Sequence, residues 1–151
     1  MTTNGQSKGR PASVLLADDD LAMRSLISDE LHEEGYSVFL VADGHEALDC
    51  IDECSPDLIL TDLRMPHGGL DFVARLRARA PETPIILMTA FGDAATEADA
   101  YEKGASAYFN KPVRMGDLKT AIHRLLNHDG TSGASELKKQ VGSTNKEASY
   151  E

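Results

Sequence analysis

The 151-residue sequence contains no tryptophan, only two cysteines, and no apolar run that approaches the length of a membrane span. Cys50 and Cys54 lie four residues apart on one predicted helix, and this spacing is neither a CxxC motif nor a disulfide framework. We therefore expect two reduced thiols in a cytoplasmic protein. The N-terminal sequence MTTNGQSKGRPAS has no apolar core, so we expect no secretory signal there.

Basic residues are also scarce. Lysine and arginine total 15 against 25 aspartate and glutamate residues, which gives a formal net charge of -10 at pH 7. Non-specific binding to nucleic acid and binding to an anionic membrane surface both depend on basic residues. The charge balance argues against both of these partners. It is compatible with a divalent cation, because clustered acidic residues need one.

Apolar strand patterns alternate along the chain with amphipathic helix patterns. The strand patterns predict strands at 14–18, 36–41, 57–61, 85–89 and 106–110. The helix patterns predict helices at about 20–34, 44–54, 69–79, 93–103 and 114–127. This alternation predicts an α/β fold, in which a five-stranded parallel sheet carries five helices on its two faces.

The two ends of the chain differ in composition from the part between them. Residues 1–12 are polar and rich in Gly, Ser and Thr, so we expect a flexible leader. Residues 128–151 contain few apolar side chains, and we expect a disordered polar tail because burial cannot offset the cost of ordering it. The folded domain is therefore predicted at 13–127.

Polar side chains follow four of the predicted strands. The apolar run VLLA is followed by Asp18 and Asp19, LILT by Asp62, IILM by Thr89, and AYFN by Lys111. Ligands in parallel sheets bind beyond the carboxyl ends of the strands, so these side chains are expected to meet in one pocket. Three carboxylates, a hydroxyl and an ammonium group together indicate metal-assisted phosphoryl chemistry on a carboxylate.

Other polar residues have simpler interpretations. Asp20 is expected to cap the first helix or to lie in its first turn, where the helix dipole favours an acid. The histidines show no metal-ligand spacing, and we expect all five at the surface: His32, His45, His67, His123 and His128.

Four motifs, VLLADDD, LILTDLRMP, PIILMTA and AYFNKP, occur in this order on the predicted strand ends. In this respect the chain resembles the receiver domain of two-component response regulators over residues 13–127. The resemblance implies the flavodoxin-like strand order 2-1-3-4-5. It implies a cytoplasmic signalling protein that accepts a phosphoryl group from a sensor histidine kinase or a phosphotransfer protein.

The resemblance also implies a role for each site residue. Asp62 would accept the phosphoryl group, and Thr89 and Lys111 would each bind a phosphoryl oxygen. Asp19, Asp62 and the carbonyl oxygen of Arg64 would bind Mg²⁺, with Asp18 holding the water shell of the ion. Further implied features are a switch role for Tyr108 and a cis peptide bond between Lys111 and Pro112.

The family resemblance further implies that partners bind to the face formed by the fourth helix, the fifth strand and the last helix. No output domain is predicted after residue 127, so we expect the chain to bind a downstream protein or to relay phosphate. A phosphorylation-dependent homodimer is also compatible with the family. The only chemistry expected is self-phosphorylation and slow self-dephosphorylation, not turnover of a separate substrate.

The sequence departs from the family near the acceptor. Pro66 is followed by His67-Gly68-Gly69, which is one residue shorter than the usual loop. Arg64 and Phe91 occupy positions that tune the lifetime of the phosphoryl group in the family. Because both side chains are bulky, we expect them to screen the acyl phosphate from water and to slow dephosphorylation.

Two other functions remain open at this point. Asp18 and Asp20 fit the DxD motif of haloacid-dehalogenase-like phosphatases, although Ala22 replaces the expected Thr or Val and no late acidic pair is present. The segment MTAFGD is similar to receivers attached to enhancer-binding ATPases, so the chain could also be a fragment of a larger transcription regulator.

Overall fold

The computed structural model describes residues 10–90 and 92–127. The predicted tail at 128–151, His128, Phe91 and most of the predicted leader lie outside these residues. Within them, no helix is long and apolar enough to cross a membrane.

Strands and helices alternate along the described chain. The strands are β1 Ser13–Ala17, β2 Ser37–Val41, β3 Leu58–Asp62, β4 Ile85–Thr89 and β5 Ala107–Asn110. The helices are α1 Leu21–Glu33, α2 Gly44–Cys54, α3 Leu70–Arg79, α4 Ala94–Lys103 and α5 Met115–Asn127. Every predicted element is present, and its ends lie within one residue of the predicted ones.

The strands form one parallel sheet in the order β2-β1-β3-β4-β5. The predicted fold class and strand order are therefore confirmed. Because all strands run in the same direction, their carboxyl ends lie along one edge of the sheet.

Three aspartates fix where the helices begin. Asp20, Asp43 and Asp93 precede α1, α2 and α4, and each carboxylate accepts a hydrogen bond from a backbone N–H in the first turn. Such caps satisfy donors that have no partner within the helix. Asp20 is the N-cap that the sequence predicted.

The core has two layers, one on each face of the sheet. One face is covered by α1 and α5 through residues such as Ile27, Leu31, Leu118 and Ile122. The other is covered by α2, α3 and α4 through residues such as Leu48, Ile51, Phe72, Leu76 and Ala100. The alternation of side chains along each strand supplies both layers, which places helices on both faces as predicted.

Asp57 joins the starts of two strands. Its carboxylate accepts hydrogen bonds from the N–H of Ser13 at 2.8 Å and from the Ser13 hydroxyl at 3.2 Å. It also pairs with Arg10 at 3.1 Å, and the carbonyl oxygen of Ala12 accepts from Ser37 N–H at 2.9 Å. Residues 10–12, which were expected to belong to a flexible leader, therefore contact the sheet.

Replacing Asp57 with Asn should destabilise the domain in a pH-dependent way. Burial alone would raise the pKa of Asp57, but the hydrogen bonds and charge of Arg10, with the bonds from Ser13, lower it overall. A lowered native pKa means that the carboxylate stabilises the fold above its unfolded pKa of about 4 and that this contribution is lost as the pH falls through the native pKa. We expect Asp57→Asn to cost about 1 kcal/mol at pH 7 and progressively less on acidification, as measured by urea denaturation.

Asp52→Asn provides the matched control, since Asp52 pairs with Arg79 where both side chains are exposed. An exposed pair contributes little to stability. A deficit in Asp57→Asn that stays constant from neutral to strongly acidic pH would contradict this account of Asp57.

Candidate functional site

The carboxyl edge of the sheet gathers the polar residues that the sequence singled out. Asp18 directly follows β1, Asp62 is the last residue of β3, Thr89 is the last of β4, and Lys111 directly follows β5. Asp18, Asp62 and Thr89 are buried, whereas Asp19 is exposed.

Lys111 connects two of the carboxylates across the sheet. Its Nζ lies 3.1 Å from Asp18 Oδ2 and 3.1 Å from Asp62 Oδ2. A cis peptide bond joins Lys111 to Pro112, and Lys111 N–H donates a 2.8 Å hydrogen bond to the carbonyl oxygen of Thr89. A single ammonium group thus holds the ends of β1 and β3 together.

Backbone N–H groups bind the other oxygen of each buried carboxylate. Asp18 Oδ1 accepts from Asp20 N–H at 2.9 Å, and Asp62 Oδ1 accepts from Arg64 N–H at 3.0 Å. The guanidinium of Arg24 donates to the carbonyl oxygen of Asp18 at 3.2 Å. Each buried carboxylate is therefore oriented by an ammonium group on one oxygen and by a loop amide on the other.

The surroundings of this pocket raise the pKa of both Asp18 and Lys111, which disfavours the charged form of the acid and favours that of the lysine. Burial raises the pKa of Asp18, and the nearby charge of Asp62 adds to the effect, although Asp20 N–H and Lys111 partly oppose it. For Lys111, burial would lower the pKa, but its bonds to Asp62 and Asp18 outweigh burial and raise the pKa. The pocket holds more negative charge than its one lysine neutralises, which favours a bound cation.

The carboxylates of Asp18, Asp19 and Asp62 can each offer an oxygen within 4.8 Å of the others. Mg²⁺ takes one or two carboxylates together with water and phosphate oxygens, so this set of hard oxygen donors fits that ion. Arg64 lies two residues after Asp62, in the loop beside the three acids. A role for its carbonyl oxygen as a ligand stays a prediction.

Tyr108 occupies the interior of the domain. Its ring is fully buried, and its hydroxyl lies so close to Gly92 that a Cβ at that glycine would collide with it. Burial raises the pKa of Tyr108 to about 12, helped by the negative charges of Glu97 and Asp93. Tyr108 therefore lies inward, below the loop that joins Thr89 to α4.

The loop that follows β3, at residues 63–69, makes contacts that the sequence did not predict. The rings of His45 and His67 stack with their centroids 3.8 Å apart. Gly44 N–H donates to the carbonyl oxygen of Pro66 at 3.0 Å, and a Cβ at Gly44 would collide with the carbonyl oxygen of His67. The shortened loop is thus packed against the start of α2. No sequence periodicity connects these residues, and only the fold brings them together.

The remaining sequence predictions have mixed outcomes. His32, His45, His67 and His123 are exposed as predicted. Cys50 and Cys54 are free thiols, and burial with the neighbouring Cys54 raises the pKa of Cys50 to about 12. Asp20 directs its carboxylate to Met23 N–H as a helix cap. Two acids, Asp18 and Asp20, suggested a phosphatase motif. Only the carboxylate of Asp18 lies in the pocket, where it pairs with Lys111.

Comparison with known proteins agrees with this arrangement. A family model described as response regulator receiver domain matches residues 14–123. Sporulation initiation phosphotransferase F of Bacillus subtilis (strain 168) is 31% identical over 114 residues, which cover 75% of this chain and 92% of that protein. Response regulator MprA of Mycolicibacterium vanbaalenii is 35% identical over 117 residues, which cover 77% of this chain and 51% of that protein.

Solved structures give the same result. Chemotaxis response regulator CheY4 of Vibrio cholerae matches with a TM-score of 0.70 and 30% identity, covering 76% of this chain and 98% of that chain. The receiver domain of Francisella response regulator 1452 matches with a TM-score of 0.72 and 28% identity, covering 76% of this chain and 96% of that one.

The curated relatives differ in length. The chain spans nearly all of the Bacillus phosphotransferase but only about half of the MprA regulator. The family model covers residues 14–123, which include the whole sheet and the acidic pocket of this chain. The chain belongs to the response regulator receiver domain family, a family of signalling domains of two-component systems rather than of classical enzymes.

Proposed function

We propose that Asp62 accepts a phosphoryl group from a phosphohistidine of a sensor histidine kinase or a phosphotransfer protein, in a Mg²⁺-dependent reaction. The observation that carries this proposal is the position of Lys111 Nζ, at 3.1 Å from both Asp18 and Asp62. The ammonium group of Lys111 supplies positive charge at the point where an incoming phosphoryl group would bring more negative charge.

The transfer requires little covalent chemistry from the protein. An oxygen of Asp62 forms a bond to phosphorus while the bond from phosphorus to the donor nitrogen breaks, and the nitrogen keeps the electron pair. Bound Mg²⁺ would supply charge neutralisation for the phosphoryl oxygens. Asp19 and Asp62, with the carbonyl oxygen of Arg64, would hold the ion directly, and Asp18 would hold its water.

Two further side chains would bind the transferred group. Lys111 is proposed to bind one phosphoryl oxygen after releasing Asp62, while its bond to Asp18 keeps the ammonium group in the pocket. Thr89 ends the strand next to Asp62 and is proposed to hydrogen-bond a second oxygen. A movement of Thr89 would shift the ring of Tyr108, which lies inward on the neighbouring strand.

The proposed output is a change in partner binding through α4, β5 and α5. Tyr108 belongs to β5 and its hydroxyl approaches Gly92, just before α4, so a shift of this ring would alter that face. A phosphorylation-dependent homodimer, a cytoplasmic location and a downstream protein partner all stay predictions. Several relatives are longer regulators, so attachment to an output domain is an alternative that the family allows.

We expect the chain to gain one phosphoryl group when it is incubated with acetyl phosphate and Mg²⁺, as measured by intact mass. Asp62→Asn should abolish the gain, because the nucleophilic oxygen is lost while the shape is kept. Asp71→Asn serves as control, since Asp71 is an exposed acid on α3. Absence of a gain with any small-molecule donor or kinase would sink the proposal, as would an equal gain in Asp62→Asn.

Mg²⁺ should raise the melting temperature of the wild-type chain, because an ion that binds only the folded state stabilises it. At a concentration about 100 times the dissociation constant, the stabilisation is about 2.7 kcal/mol. Asp19→Asn should shift this response to higher Mg²⁺ concentrations. Asp20→Asn is the matched control: it removes the same charge at the next position, and Asn remains a good helix cap. Equal loss of the response in both variants would point to general charge rather than to ligation.

We expect the phosphoryl group to persist for minutes or longer after the donor is removed, with Arg64 restricting access of water to the acyl phosphate. Arg64→Ala should shorten the lifetime several-fold. Arg75→Ala, which removes an exposed arginine from α3, should leave it unchanged. Loss of phosphate from the wild type within seconds would contradict the prediction. The partner position, Phe91, lies outside the described residues.

A further inference from the structure

β2 is an edge strand with no obvious protection. Within residues 10–90 and 92–127 it pairs with β1 alone. Natural proteins usually protect such an edge with lysine, proline or a bulge, because unpaired backbone groups attract another strand. The sequence of β2, SVFLV, contains none of these residues and consists mostly of good strand formers.

The hydrogen bonds to β1 identify which backbone groups face away from the sheet. Ser37 N–H donates to Ala12 at 2.9 Å, and the carbonyl oxygen of Val41 accepts from Asp18 N–H at 3.2 Å. In a parallel pair the N–H and C=O of one residue point to the same side, and the side alternates from residue to residue. Val38 and Leu40 therefore direct both of their backbone groups toward the open edge.

A groove of about 510 Å³ lies along this edge. One wall is β2 itself, over residues 38–41, and the other is a stripe along α2 formed by Glu46, Asp49, Cys50, Glu53 and Cys54. We refer to it as the β2–α2 groove. Three of the five α2 residues are acidic, so this wall of the groove is negatively charged.

The two faces of β2 differ in chemistry at the edge. Phe39 lies beside Leu15 on the side covered by α2, and Leu40 lies beside Leu16 on the side covered by α1. Leu40 is nevertheless 50% exposed. A strand added beside β2 would therefore point alternate side chains toward acidic α2 and toward exposed, apolar Leu40.

We propose that the β2–α2 groove binds an extended segment of a partner protein in which basic residues alternate with apolar ones. The segment would pair with the outward N–H and C=O groups of Val38 and Leu40 and extend the sheet by one strand. Its basic side chains would meet Asp49 and Glu53, and its apolar side chains would cover Leu40.

A second copy of the chain fits this groove less well. Its own β2 carries no basic residue, and pairing two copies edge to edge would bring two acidic α2 stripes together. Like charges that are brought close together repel each other. Charge complementarity therefore favours a basic segment over self-association.

The test uses the unphosphorylated full chain and a short, blocked, dye-labelled peptide that alternates lysine and valine. Fluorescence anisotropy should show binding at physiological ionic strength. A peptide of the same composition with its lysines grouped at one end should bind about tenfold more weakly, and one with glutamate in place of lysine should not bind. Equal affinity for the alternating and grouped peptides would overturn the proposal, because only charge would then matter.

Paired variants measure separately how much the backbone hydrogen bonds and the acidic charges contribute to peptide binding. Leu40→Pro removes one outward N–H without breaking a bond to β1 and should weaken binding about tenfold relative to Leu40→Ala, which keeps that N–H. Asp49→Asn with Glu53→Gln should weaken binding to a similar extent. Asp71→Asn with Glu82→Gln changes the net charge equally at two exposed acids that do not line the groove, and it should have no effect. Equal weakening by both charge pairs would overturn the groove as the site.

Amide hydrogen exchange measured by NMR distinguishes strand pairing from attraction between charges, because attraction alone would not slow exchange at particular amides. The peptide should slow exchange at Val38 and Leu40, whereas Phe39, which faces β1, should change little. Unchanged exchange at both edge amides, or a dimer of the free chain in which these two amides are already protected, would rule out strand addition by a basic segment. Because no phosphorylation is involved, these outcomes are independent of the proposed role of Asp62.

Discussion

The ion pairs of Lys111 are the contacts on which the functional edge of this domain depends. A parallel sheet brings the ends of β1 and β3 together, and each of these ends carries a buried carboxylate. Without a cation, two such groups would repel each other and would be costly to bury. Lys111, which follows β5, places its ammonium group against both carboxylates and so offsets this repulsion, and the same contacts raise the pKa of Lys111. Lys111 offsets only one of the three negative charges of Asp18, Asp19 and Asp62, and the excess favours a bound cation.

The fold could be predicted almost completely because the apolar residues recur with clear strand and helix periods along the sequence. Five apolar runs of strand length alternate with helix patterns, and parallel β-α-β units are right-handed in nearly all proteins. The small shifts in helix ends come from capping. Asp20 and Asp93 lie just outside α1 and α4 because their carboxylates bind first-turn amides, which a hydrophobic pattern does not reveal. The strand order itself came from the family resemblance and not from periodicity.

The candidate site was predictable to the extent that it is built from strand ends. Asp18, Asp62, Thr89 and Lys111 each follow or close an apolar run, and this position alone brings them to one edge. The contrast between buried Asp18 and exposed Asp19 could not be predicted, because it depends on how the loop turns after β1. The stack of His45 on His67 also could not be predicted, since the packing of one loop on the start of another helix leaves no pattern in sequence.

The end of β2 joins the acidic pocket to the open edge of the sheet. The carbonyl oxygen of Val41 accepts from Asp18 N–H at 3.2 Å, and Ala42 N–H donates to Glu46 at 2.8 Å. Asp18 belongs to the pocket, whereas Glu46 belongs to the wall of the groove. The pocket and the β2–α2 groove therefore meet at the carboxyl end of β2, where Val41 bonds to Asp18 and the next residue bonds to Glu46. The acidic pocket and the β2–α2 groove thus lie next to each other at the end of one strand.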